Sequence, residues 1–61
     1  MIQAELERVY EAMAEAIDAI GPKQGDVFLA KLALALAEDL GHTERVLEVI
    51  AECRGGLVRR D

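Results

Sequence analysis

Two rows of carboxylates are the residues whose type and spacing come nearest to chemistry. Glu7, Glu11, Glu15 and Asp18 recur at helical spacing, and Glu44, Glu48 and Glu52 repeat the pattern further along. Carboxylates aligned in this way could hold a metal or share acid–base work. Di-metal bundles, however, aim Glu and Glu-x-x-His motifs inward from several helices. Here each row lies opposite an apolar stripe and is expected to face water. His42 is the only histidine and Cys53 the only cysteine. Zinc takes four protein ligands, or three and a water, so this pair makes no zinc site. A single cysteine also precludes an intrachain disulfide. The chain has no serine for His42 to activate. Beside Gly41, its ring is placed to bond the last carbonyls of the preceding helix, which makes it a cap or loop residue. Cys53 falls on the apolar side of its helix and reads as an inert, buried hydrophobe. Tyr10 reads as core or interface with its hydroxyl at the edge. A phosphate-cradling glycine loop and a nucleophile elbow are both lacking. No catalytic residue, cofactor or metal is therefore expected.

The elements that position these residues follow from periodicity. Ile2, Leu6, Val9, Met13, Ala16 and Ile20 alternate at spacings of four and three, with Tyr10 and Ile17 widening the stripe. This is the amphipathic helical period. Gly21 and Pro22 end that helix, and Pro22 suits the first position of the next. A later start with Asp26 as N-cap is the alternative, since Gly25 inside a helix costs about 1 kcal/mol relative to Ala. The second helix runs to about Leu40, with Gly41 as a left-handed cap. Leu29, Leu32, Ala33, Leu36 and Leu40 form one apolar face, extended by Phe28 and Ala35. Val27, Ala30, Leu34 and Ala37 form a second strip, leaving polar ground only around Lys31, Glu38 and Asp39. A helix apolar nearly all round is expected to be buried. The third helix starts after Thr43 as N-cap, with Glu44 in its first turn. Val46, Leu47, Val49, Ile50 and Cys53 give it an apolar side, and Gly55 and Gly56 stop it. Leu57 and Val58 are expected to fold back over its end, and Arg59, Arg60 and Asp61 to fray.

The fold class predicted is all-α: a three-helix bundle, with helices at about 2–20, 22–40 and 43–54, in one domain over 1–61 with 55–61 as a frayed tail. With 61 residues, burial of only about 60% of the unfolded surface leaves a lone core marginal. Short chains add disulfides, metal or oligomerisation, and oligomerisation is the device left. The second helix should pack on its two neighbours and present its remaining strip to another chain. Twofold symmetry is the commonest closure, so a homodimer is expected. Its interface is assigned to Tyr10, Val27, Leu29, Ala30, Leu34, Leu36 and Ala37. A chain this small leaves little room for a ligand pocket of about 300 Å³ or more. A helix-bundle carrier of a small ligand is kept as a lesser alternative.

A net charge of −5 and a pI near 4.7 count against nucleic acid and anionic membranes as partners. Residues 33–53 still offer a helix-turn-helix alternative: Leu36, Ala37, Leu40, Gly41, Leu47 and Ile50 fall at the spacings such units use. The reading helix would then show Glu44, Arg45 and Glu48 to the groove, where phosphate contact needs Lys and Arg. No basic segment precedes an apolar run, and no run reaches the roughly 18–20 residues that span a bilayer. A cytoplasmic location is expected.

"VYEAM" (9–13), "FLAKLALALA" (28–37) and "LG" (40–41) before a third helix resemble a family of short bacterial proteins catalogued as a domain of unknown function. The resemblance covers most of residues 5 to 53. The chain departs from the family pattern at Ile17, where members often carry histidine, and at Glu38, where they often carry asparagine. Relatives tend to occur beside oxidative enzymes of small-molecule catabolism. The resemblance thus implies an accessory role, with a larger oxidative enzyme as partner.

Overall fold

A computed structural model describes residues 1–57 and 59. Val58, Arg60 and Asp61, for which folding back or fraying is expected, lie outside the described residues. Three helices follow one another: α1 (Gln3–Ile20), α2 (Gly25–Leu40) and α3 (Thr43–Arg54). The all-α, three-helix class is as the sequence predicts. Between α1 and α2, Pro22–Gln24 form one turn of 3-10 helix. Of the two anticipated starts, Asp26 as N-cap does not hold: Gln24 is at the cap and Asp26 lies inside the first turn. Pro22 opens a helical turn, but the α-helix proper begins at Gly25.

Each end has a local cause. The Glu5 carboxylate accepts a hydrogen bond from the Ile2 N–H at 3.1 Å, the reach-back half of a capping box. Gly21 leaves α1 at φ 91°, a conformation that favours glycine. Its N–H still donates to the Ile17 carbonyl at 3.0 Å. Gly41 closes α2 in the left-handed region, at φ 66° and ψ 24°, with its N–H donating to the Ala37 carbonyl. After α3, the Leu57 N–H donates to the Arg54 carbonyl at 3.0 Å, turning Leu57 back beside the helix end.

The packing is looser than the sequence suggests. α1 meets α2, and α2 meets α3, only near the two connections, and α1 does not meet α3. Among the described residues Gly25 alone is buried. Met13, Ala16 and Ile17 of α1, Phe28, Leu32 and Ala37 of α2, and Val46 and Val49 of α3 are half-buried. The radius of gyration is 13.4 Å, against about 10–11 Å for a compact chain of this length. The expectation that α2 is buried within its own chain is corrected accordingly. Short connections fix the helices at their ends, and neither neighbour is turned to cover the length of α2.

Gly25 sits in ordinary right-handed helical geometry, φ −56° and ψ −42°. A Cβ there would meet Ile17 Cγ2 at 3.7 Å, a normal contact. Gly25→Ala should therefore stabilise the chain by about 0.4–1 kcal/mol by narrowing the unfolded ensemble. Thermal unfolding followed by circular dichroism at fixed concentration would read this as a rise in Tm. A fall would mean that the first turn of α2 presses on α1 more tightly than the geometry indicates.

Candidate interaction surface

The residues assigned to an interface are on the surface. Leu34 is 72% exposed, Leu36 58% and Tyr10 72%. Val27, Leu29 and Ala30 are also exposed, while Ala37 is half-buried. Tyr10 is thus no core residue, and its ring lies open on α1. The structure does not gather these side chains into one patch. Leu36 and Ala37 border a hollow between α2 and α3, together with Ala33, Leu40, Val46, Val49, Ile50, Cys53, Arg54 and Leu57. Leu34 lies on the other flank of the same corner, near Glu38, His42 and Leu47. Val27 belongs to the α1–α2 corner, beside Ile20, Phe28 and Leu32.

The α2–α3 hollow encloses about 500 Å³. The expectation that so small a chain has little room for a space of 300 Å³ or more does not hold, because splayed helices leave a V where a closed bundle would be filled. Its walls are leucine, isoleucine, valine, alanine and Cys53, with Arg54 as the one charged residue among the described residues on the rim. The α3 side of the groove was missed as a site. Its signal was present, since Val46, Val49, Ile50 and Cys53 recur at three- and four-residue spacing. An apolar α3 stripe next to an apolar α2 face implies a shared surface.

Cys53 is exposed in this groove, which corrects its reading as a buried side chain. His42 is also reassigned. Its Nδ1 accepts a hydrogen bond from the Arg45 N–H at 3.1 Å, which makes it the N-cap of α3 and displaces Thr43 from that role. The reason is geometric: His42 has extended φ and ψ, −133° and 92°, and its acceptor reaches the third helical N–H. Its ring serves the start of α3 rather than the end of α2.

Charges on the outside of α3 are tied to one another. Arg45 Nη1 donates to Glu48 Oε1 at 3.3 Å and to Glu52 Oε2 at 3.1 Å. The hydrogen bond to Glu52, and then that to Glu48, raise the guanidinium above its ordinary pKa. The cation that a DNA-reading helix would offer to phosphate is thereby engaged, and the surrounding surface is acidic. Among the described residues no three His, Cys, Asp or Glu side chains converge as a metal site. No helix there is long and apolar enough to cross a membrane.

Comparison of the chain with protein-family models, with curated proteins and with solved structures finds no match. The resemblance to the short bacterial family rests on the quoted residues alone.

Two expectations follow. His42→Ala should cost about 1 kcal/mol of helix stability, and His42→Asn, which keeps an acceptor at the cap, should recover most of it. Melts of the three proteins by circular dichroism would show the order; equal melts would mean the cap is idle. In a mobility-shift assay at low salt, non-specific duplex should not be retained, and retention would reinstate the DNA-binding reading.

Proposed function

We propose that this protein is a self-associating helical module with no catalysis of its own: a cytoplasmic homodimer whose exposed α2 faces are covered by a second copy. One quantity carries this reading. The chain exposes 5866 Å², whereas a folded monomer of 6.7 kDa exposes roughly 3,900 Å². Covering the difference in two chains would bury about 4,000 Å² in all, within the range of obligate homodimers. The exposed surface has the matching chemistry, since Leu29, Leu34, Leu36, Leu40 and Ile50 are each at least 40% exposed. Of these, Leu36, Leu40 and Ile50 share the α2–α3 groove, and exposed apolar surface of this kind marks association sites. Its outer acidic rows would then face a larger protein. An accessory role beside an oxidative enzyme, as the family resemblance implies, is compatible with that arrangement.

A second reading has one observation in its favour. An apolar hollow of about 500 Å³ falls in the size range of ligand sites. A lipophilic small molecule retained by the purified protein in native mass spectrometry would support a carrier.

Light scattering should give twice the 6.7 kDa chain mass, persisting over a hundredfold dilution. Leu36→Glu tests the surface directly. A symmetric dimer loses two buried leucines, at about 1.5–3 kcal/mol each. Its dissociation constant should rise by at least about a hundredfold. An unchanged dilution profile would place the interface away from the Leu36 face of α2.

A further inference from the structure

Two apolar surfaces are left without a partner among the described residues of the chain. One is the first half of the α1 stripe, where Ile2, Leu6 and Val9 are all exposed. The other is the α2–α3 groove. We propose that they partner each other between chains: α1 of one copy lies in the α2–α3 groove of a second copy, and the reverse, so that the dimer consists of two three-helix units with exchanged first helices. This rests on the self-association reading above and specifies its geometry.

Three features point to α1 as the occupant. The first is length. Ile2 to Val9 on the exposed half of the stripe and Ala33 to Leu40 on the groove's α2 wall each span seven residue steps, or about 10–11 Å of helix, so stripe and groove match end to end. The second is charge. Gln3–Ile20 carries five acidic residues against one arginine, whereas Thr43–Arg54 carries three glutamates and two arginines. An α1–α1 pair would carry a net charge of −8, against −5 for α1 beside α3, and the greater like charge disfavours it. Laying α1 along α3 avoids this and brings it to the rim where Arg54 stands. The third is the connection. The last turns of α1 are held at the start of α2, where Ile17 borders Gly25, while α1 makes no contact with α3. Gln24 ties the turn, its Nε2 donating to the Ile20 carbonyl at 3.0 Å and its N–H to the Gly21 carbonyl at 3.2 Å. α1, which does not reach its own groove, is left available to another. Reciprocal exchange closes the assembly with twofold symmetry.

Cys53, the native thiol in the groove, supplies the probe. Leu6→Cys, Val9→Cys and Met13→Cys each put a second thiol on the α1 stripe, and Glu11→Cys puts one on the opposite face. Equal amounts of unlabelled and nitrogen-15 chains are denatured together, refolded, oxidised mildly and digested. Their disulfide-linked peptides are then weighed. Exchange predicts peptides joining the α1 cysteine of one chain to Cys53 of another, in mixed-isotope pairs, for at least one stripe position and not for Glu11→Cys. The same link found only in same-isotope pairs would mean that α1 folds into its own groove, and would overturn the proposal. So would a dimer that links only Cys53 to Cys53, or α1 to α1. Light scattering on the unoxidised, unsubstituted protein separates the two levels: a monomer there removes the self-association reading itself, whereas a dimer without the α1–Cys53 link removes only the exchange.

Discussion

Apolar surface that one chain cannot cover is the constraint from which the other features of this protein follow. Hydrophobic burial scales with the area taken from water, and a chain of this length has little to spend it on. α2 is apolar on most of its circumference, yet α1 and α3 touch it only at its two ends. Only glycine, at position 25, is buried among the described residues. Isolated helices of twelve to eighteen residues are marginal in water, so packing has to supply their stability. Packing of that extent is absent among the described residues of the chain.

Two corners decide how the surface is laid out, and they work by different chemistry. At the first, Gly21 supplies a backbone angle closed to most residues, and Pro22 starts a single tight turn. At the second, Gly41 adopts the left-handed conformation and His42 caps the next helix with its ring nitrogen. Both corners hold their helices splayed, so that α1 and α3 meet α2 only near its ends. The groove between α2 and α3 is the direct result, with leucines on one wall and valine and isoleucine on the other.

Charge is distributed so as to restrict which apolar surfaces can meet. The carboxylates of α1 run along the side opposite its apolar stripe, where they solvate the helix and face water. On α3 the glutamates are partly neutralised by Arg45, which bridges Glu48 and Glu52 across two turns. Exposed pairs of this kind contribute little to stability. Their effect is on what the face can recognise, because an arginine held by two carboxylates has less to offer to phosphate.

Much of the fold was legible in the residues. The stripe Ile2–Leu6–Val9–Met13 marks the first helix, Gly41 marks the end of the second, and the glycines at 55 and 56 mark the end of the third. These are local matters of periodicity and backbone conformation, and a sequence encodes them position by position. The sequence also showed that α2 has more apolar surface than two amphipathic neighbours can cover. Other features depended on how the helices are aimed. Whether His42 caps the helix before it or after it turns on a few tens of degrees of backbone rotation, and its ring went to α3. Whether Cys53 is covered depends on whether α1 reaches α3, and it does not. The α2–α3 groove exists only because two tight corners hold three helices apart, and those angles arise from the three-dimensional path of the chain rather than from the pattern along it.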